Sequence, residues 1–118
     1  MVVAGTSLAL VVEDDRFQRD ILSDILRHEG LDVIECETAE AAELVIANAG
    51  AELKALVTDV GLADKGNGID LAVYAKQQFP HLPVVIVSGQ PHVAPPGVKF
   101  LAKPYQVAEL LRAVNLGA

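Results

Sequence analysis

Short apolar runs alternate with longer segments of helical periodicity along the chain. The runs hold four or five residues, and several are rich in β-branched side chains, which is typical of strands covered on both faces. The predicted strands are Leu8–Val12, Asp32–Glu35, Ala55–Thr58, Val84–Val87 and Val98–Ala102. Five strands separated by helices predict a parallel sheet with helices packed on both sides.

The segments between the runs carry the pattern of amphipathic helices. The first helix is predicted from apolar residues on one face, namely Phe17, Ile21, Leu22, Ile25 and Leu26, and Gly30 is placed to end it. Thr38 is the candidate N-cap of a second helix that continues to Ala49 and is closed by Gly50. The third predicted helix is Ile69–Phe79, and the last is Gln106–Asn115.

The connection between the fourth and fifth strands breaks this alternation. It reads Ser-Gly-Gln-Pro-His-Val-Ala-Pro-Pro-Gly, with three prolines and two glycines. Proline removes a backbone donor and interrupts a helix. The pattern therefore predicts one α/β domain over residues 1–118, with a doubly wound five-stranded parallel sheet whose fourth crossover helix is short or replaced by a loop.

Composition narrows the class of protein. The apolar fraction of 52% is sufficient for a folded core, and the net charge of −7 disfavours direct binding to the phosphate backbone of nucleic acids. The single cysteine, Cys36, excludes an internal disulfide and fits a reducing compartment. No apolar run is long enough to span a bilayer, so we expect a cytoplasmic protein without a membrane partner.

Polar residues follow four of the five predicted strands, at the edge where such sheets bind ligands. They are Glu13-Asp14-Asp15 after the first strand, Asp59 after the third, Ser88 after the fourth and Lys103 after the fifth. Each alone has an ordinary explanation, such as helix capping by the acidic triplet or a turn at Asp59. Their coincidence at one edge favours a shared site.

The chemistry of these side chains is coherent. Clustered carboxylates resist joint ionisation unless a cation neutralises them, and Mg²⁺ accepts a few carboxylates while keeping positions for water and phosphate oxygens. An aspartate carboxylate can also be a nucleophile that forms an aspartyl phosphate. A lysine and a hydroxyl nearby would stabilise the transferred group. We therefore predict that Asp59 accepts a phosphoryl group with Mg²⁺, for which Mn²⁺ could substitute.

These motifs resemble the receiver domain of bacterial two-component response regulators. The resemblance extends from Leu8 to Val114. It rests on Leu10-Val11-Val12-Glu13-Asp14-Asp15, Leu56-Val57-Thr58-Asp59, Ser88-Gly89 and Lys103-Pro104. It implies a flavodoxin-like sheet with strand order 2-1-3-4-5.

The resemblance also implies roles for single residues. Asp59 would be the phospho-acceptor. Glu13 and Asp14 would hold the metal with Asp59 and the backbone carbonyl of Gly61, while Asp15 would cap the first helix.

The remaining implied roles concern the phosphoryl group and the switch. Ser88 and Lys103 would contact the phosphoryl oxygens, with small Gly89 leaving space for them. Phe100 falls at the aromatic switch position, and the peptide bond before Pro104 would be cis.

The chain departs from the usual family pattern in three places. Leu62-Ala63 stands where a Met/Leu-Pro pair is usual, in a loop about one residue longer than common. Ser88 and Lys103 are only fifteen positions apart, which resembles an atypical subgroup with a shortened or missing fourth helix. No output domain follows Val114, so we expect either a free-standing regulator or part of a hybrid kinase. Because the shortened face is the usual dimer contact in the family, we expect a monomer or weak dimer.

The resulting hypothesis is a signalling module and not a turnover enzyme. A histidine kinase or histidine phosphotransfer protein would supply the phosphoryl group, and the face beside the fourth strand would stay mobile until Asp59 is phosphorylated. One alternative is a Mg²⁺-dependent phosphohydrolase, but the first strand ends in Glu13-Asp14-Asp15-Arg16-Phe17 and not in Asp-x-Asp-x-Thr. Another is a flavodoxin-like or dinucleotide-binding module, but no Gly-x-Gly-x-x-Gly follows that strand.

Overall fold

The computed structural model describes residues 7–114, and it contains one parallel sheet of five strands. The strands are β1 (Leu8–Val12), β2 (Asp32–Cys36), β3 (Leu53–Asp59), β4 (Val84–Ser88) and β5 (Lys99–Ala102). Their order is β2-β1-β3-β4-β5, which confirms the predicted flavodoxin-like topology. The main difference is that β3 begins two residues earlier than predicted, at Leu53 instead of Ala55.

Within the described residues, four α-helices connect or follow these strands: α1 (Arg16–His28), α2 (Ala39–Ala49), α3 (Gly68–Gln78) and α4 (Val107–Ala113). The predicted caps are present, because Asp15 accepts the N–H of Gln18 and Thr38 accepts the N–H of Ala41. Gly30 follows α1 with a φ of 91°, a conformation that glycine adopts without steric cost. Asn115, the predicted end of the last helix, lies outside the described residues.

Alternate residues of the central strands face opposite sides of the sheet and form two cores. Leu10, Leu56 and Ile86 pack with α2 and α3 on one side. On the other side, residues such as Val11 and Val57 pack with α1 and α4. Burial of each such aliphatic side chain contributes about 1.5–3 kcal/mol, so the central strands are firmly held on both faces.

The predicted apolar face of α1 is only partly buried. Leu22 and Leu26 are buried, as expected, but Phe17 is 74% exposed and Ile21 is 41% exposed. Helical periodicity placed these residues on one face with Leu22 and Leu26, but only part of that face is buried.

The crossover from β4 to β5, residues 89–98, contains no helix, as the proline content predicted. Val98 closes it with a buried side chain, whereas Val93 near its middle is 93% exposed. Among the helices of the described residues, none is sufficiently long and apolar to cross a membrane.

Candidate functional site

Three carboxylates meet at the carboxyl edge of the sheet. Because β1 and β3 are paired, with Val12 opposite Thr58, the residues that follow them lie side by side. Glu13, Asp14 and Asp59 each place a carboxylate oxygen within 4.8 Å of the others. The predicted acidic cluster is thus assembled, with Glu13 buried, Asp14 exposed and Asp59 between these extremes.

Glu13 is the most enclosed member of the cluster, with only 1% of its surface exposed. Burial, with a contribution from the charge of Asp59, raises the pKa of Glu13 to about 7. The N–H of Asp15 donates to its Oε2 at 3.1 Å, and Arg19 Nη1 donates to its backbone carbonyl at 2.9 Å. A nearby cation would stabilise the ionised form of this carboxyl group.

Lys103 links the carboxylates of two strands. Its Nζ lies 3.2 Å from Glu13 Oε1 and 3.1 Å from Asp59 Oδ2. Burial alone would lower the pKa of Lys103, but the hydrogen bonds and charges of Asp59 and Glu13 raise it above its usual value. The ammonium group is therefore positive at neutral pH.

Lys103 also donates to Gln18 Oε1, a contact that sequence reasoning missed. Gln18 is exposed in the first turn of α1, three residues after the capping Asp15. Gln18 and Lys103 are 85 positions apart, so no local pattern signalled this contact.

Asp59, the last residue of β3, is held by several contacts. The N–H of Val60 donates to Asp59 Oδ1 at 2.7 Å, and Thr58 Oγ1 donates to the Asp59 backbone oxygen at 2.8 Å. Gly68, the first residue of α3, lies so close that a Cβ there would sit 1.7 Å from this backbone oxygen. The carboxylate thus projects from a tightly packed backbone.

Ser88 and its neighbours lie on the adjacent strand. Ser88 is 5% exposed, its Oγ accepts the N–H of Gln90 at 3.2 Å, and its carbonyl accepts the N–H of Lys103 at 2.9 Å. No atom lies within 4 Å of the position a Cβ would take at Gly89. Ser88 therefore lies at the end of the strand next to β3, with open space at Gly89.

Two other predicted residues lie on β5 and in the loop after β3. Phe100 is half-buried on β5, and its ring centroid is 6.4 Å from that of His92. Gly61 lies in the loop after β3, where it forms an antiparallel bridge with Asn67. The Lys103–Pro104 peptide bond is cis.

The family model for the response regulator receiver domain matches residues 9–115. The chain belongs to the response regulator receiver family. Receiver domains are signalling domains that accept phosphoryl groups, and they bind Mg²⁺ in an acidic pocket such as that formed by the three carboxylates. They interact with histidine kinases or phosphotransfer proteins. The family match does not favour the phosphohydrolase alternative.

Individual relatives agree with this assignment. The response regulator protein FleR of Pseudomonas aeruginosa is 31% identical over 112 residues, which cover 89% of this receiver and 23% of FleR. A response regulator receiver protein of Anaeromyxobacter sp. strain Fw109-5 is 32% identical over 105 residues, covering 88% of this chain and 42% of that protein. The receiver thus spans less than half the length of either curated relative.

A solved structure shows the same fold. The crystal structure of a response regulator receiver protein from Sinorhizobium medicae superposes with a TM-score of 0.87. The match covers 96% of this receiver and 94% of that chain at 23% sequence identity. This similarity shows that the receiver fold is retained in spite of the helix-free crossover.

Proposed function

We propose that Asp59 is the phospho-acceptor of this receiver and that its donor is a phosphohistidine on a histidine kinase or phosphotransfer protein. The observation that carries the proposal is the position of Lys103 Nζ, 3.1 Å from Asp59 Oδ2, beside a cluster of three carboxylates. An ammonium group and a nucleophilic carboxylate at one exposed edge are the groups that phosphoryl transfer to aspartate requires.

The proposed transfer step uses Asp59, Lys103 and Ser88. A carboxylate oxygen of Asp59 attacks the phosphorus of the phosphohistidine. A P–O bond forms while the P–N bond breaks, and the bonding pair remains on the imidazole nitrogen of the donor. Lys103 then shifts its hydrogen bond from the Asp59 carboxylate to the phosphoryl oxygens, and the Ser88 hydroxyl donates to them from the adjacent strand.

The acidic cluster fits a hard divalent cation, because its ligand atoms are all oxygens and its buried member, Glu13, carries a raised pKa. Glu13, Asp14 and Asp59 would hold Mg²⁺, or Mn²⁺ in its place, together with the backbone carbonyl of Gly61. When bound, the ion supplies positive charge to the phosphoryl oxygens.

The partner would dock on an apolar surface beside the acceptor. A groove of about 370 Å³ lies between α1 and the segment that follows β5, and Lys103 is one of its lining residues. Ile21 and Val107 also line it, and both are exposed, with Phe17 exposed on the same helix. An apolar helix face around the donor histidine would cover these side chains and bring the phosphohistidine to Asp59.

The switch would lie on the other side of Asp59. Phosphorylation draws Ser88 and Phe100 toward the phosphoryl group and changes the surface formed by β4, β5 and residues 89–98. We infer that this crossover is mobile before phosphorylation and ordered after it. Amide exchange across residues 89–97 that is equal with and without a phosphoryl mimic would contradict this inference.

The remaining properties belong to the same proposal. Residues 1–118 form one receiver domain, a monomer or weak dimer that works in the cytoplasm. The free buried thiol of Cys36 supports a reducing compartment. Phosphoryl uptake is expected to be stoichiometric, without turnover of a separate substrate.

The deciding experiment is phosphorylation with acetyl phosphate and Mg²⁺, followed by intact mass spectrometry. The natural protein should gain one phosphoryl group and lose this gain when Mg²⁺ is chelated. Asp59→Ala should gain none, whereas Asp24→Ala, at an exposed position of α1, should behave as the natural protein does. Continued uptake by Asp59→Ala would refute the assignment of the acceptor.

A further inference from the structure

The loop that carries Gly61 is fastened to a helix on the same face of the sheet. This acceptor loop, residues 60–67, joins β3 to α3. Asp64 Oδ1 accepts the N–H of Ala39, and Asp64 Oδ2 accepts the N–H of Glu40, both at 3.1 Å. The N–H of Ala63 donates to the carbonyl of Glu37, also at 3.1 Å. Three hydrogen bonds thus join the middle of the loop to the start of α2.

The contact with Asp64 supplies part of the cap of α2. A helix leaves its first N–H groups without partners inside the helix. Thr38 Oγ1 accepts the N–H of Ala41 at 3.0 Å, and Asp64 accepts the two N–H groups before it. These bonds, above all the one from Ala39, hold the pKa of Asp64 below its usual value, so its carboxylate is ionised at neutral pH. A negative group at this helix end is also favoured by the helix dipole.

The base of the acceptor loop is closed by separate contacts. The N–H of Gly68 donates to the carbonyl of Val60 at 2.8 Å, next to the bridge between Gly61 and Asn67. Asn67 caps α3 by accepting the N–H of Asp70 at 2.8 Å. The base therefore fixes where the loop leaves β3 and where it enters α3.

The middle of the loop is constrained through Asp64, whose carboxylate also interacts with the backbone N–H of Gly66. It contains no proline, and Gly66 lies so close to α2 that a Cβ there would be 2.5 Å from the Cβ of Ala39. Backbone freedom at a glycine must be removed by contacts elsewhere. Asp64, with two hydrogen bonds across 25 and 24 positions of sequence, provides that constraint.

We propose that Asp64 is a positioning residue for the divalent cation, because anchoring the acceptor loop to α2 holds the Gly61 carbonyl at the acidic cluster. The proposal rests on the proposed function, since it assumes that the Gly61 carbonyl is a ligand. Asp64 itself binds neither the ion nor the phosphoryl group. Its effect passes through the backbone of Leu62 and Ala63 to Gly61, as a second layer of contacts orients the direct ligands of metal sites.

Asp64→Ala provides the test, with Mg²⁺ binding to the unphosphorylated protein measured by calorimetric titration. We expect the dissociation constant for Mg²⁺ to rise about tenfold. The phosphorylation rate with acetyl phosphate should fall at low Mg²⁺ and recover at saturating Mg²⁺, because Asp59 and Lys103 remain in place. Asp64→Asn keeps one carbonyl acceptor and should fall between Asp64→Ala and the natural protein.

Thr38→Ala is the matched control, since it removes the other side-chain cap of α2 and leaves the acceptor loop attached. It should lower the melting temperature, as Asp64→Ala does, but leave the Mg²⁺ dissociation constant unchanged. Equal shifts in both variants would show that Asp64 acts only through helix stability and would overturn the proposal. An unchanged Mg²⁺ dissociation constant in Asp64→Ala would also overturn the proposal. If the alanine variant does not fold, an unchanged constant in Asp64→Asn would do the same. A natural protein that binds no Mg²⁺ would instead refute the proposed function.

Discussion

The two halves of the carboxyl edge are built differently. Around β1 and β3, Glu13 and Asp59 are bridged by Lys103, which follows β5, and Asp64 joins the acceptor loop to α2. Around β4 and β5, Ser88 is followed by a crossover without a helix, residues 89–98. The half that holds the proposed acceptor is cross-linked between elements distant in sequence, whereas the crossover of the other half contains no helix.

Sheet order explains how the halves can communicate. Asp59 lies opposite Val87 in the pairing of β3 with β4, one residue before Ser88. A change at Asp59 therefore reaches the second half across a single pair of strands. The contrast would suit the proposed switch, because a firmly held acceptor could bias a neighbouring surface that contains no helix.

The largest effect should come from adding one methyl group to the cross-linked half. In Gly68→Ala the new Cβ would meet the Asp59 backbone oxygen at 1.7 Å, so the start of α3 or the end of β3 must move. We expect a loss of about 3 kcal/mol in the free energy of unfolding, together with loss of phosphoryl uptake. Urea denaturation and intact mass spectrometry would measure both.

The same substitution in the other half is the control. At Gly89 a Cβ has no neighbour within 4 Å, so Gly89→Ala should change the free energy of unfolding by less than about 1 kcal/mol. Similar losses in the two variants would show that the halves do not differ in packing.

Removing the positive charge of Lys103 should have smaller effects, of opposite sign, on Mg²⁺ binding and on phosphoryl uptake. In Lys103→Met the carboxylates lose their positive neighbour, so the affinity for Mg²⁺ should rise by roughly tenfold. Phosphoryl uptake at saturating Mg²⁺ should nevertheless slow by about tenfold or more, because the ammonium group no longer stabilises the phosphoryl oxygens. Calorimetric titration and timed mass spectrometry would separate these effects.

Lys54→Met, at an exposed position near the opposite end of β3, should alter neither quantity. If Lys103→Met binds Mg²⁺ more weakly than the natural protein, the ammonium does not compete with the ion for the carboxylates.

The smallest effect per step of the variable concerns pH, because it is spread over the interval between the two pKa values of Glu13. The pKa of Glu13 is about 7 in the folded protein and near 4.5 in the absence of burial, so between these values the folded state binds the additional proton. In the presence of a chelator, this group should therefore lower the free energy of unfolding as pH rises, by roughly 1 kcal/mol per pH unit in the middle of that range.

Glu13→Gln should remove this slope, whereas the exposed Glu43→Gln should retain it. Urea denaturation at several pH values would measure the difference. A slope unchanged in Glu13→Gln would assign the titration to another group.

Most of the fold followed from local patterns. Strand runs such as Val84–Val87, the proline-rich crossover and the caps Asp15 and Thr38 are all encoded in a few adjacent residues. The exposure of Phe17 could not be read in this way. Helical periodicity gives the face of a side chain but not whether a sheet lies beneath that turn.

The candidate site, like the fold, could be predicted only in part from the sequence. Topology brings residues after strand ends together, so Glu13, Asp59 and Lys103 could be grouped from sequence. The contacts of Arg19, Gln18 and Asp64 could not be predicted from the sequence. Gln18 and Lys103 are 85 positions apart, and Asp64 and Ala39 are 25 apart, so the pairings depend on tertiary packing.

The exposure of Val93 has a practical consequence. Its side chain projects from the middle of a crossover whose ends are fixed by Ser88 and the buried Val98. Chain segments can be inserted at such exposed loop positions at little cost to the surrounding fold, because closing a longer loop adds only a slowly growing entropy term. A fluorescent domain inserted after Val93 would join the surface that phosphorylation is proposed to order, and the receiver could then serve as the host of a genetically encoded phosphorylation sensor.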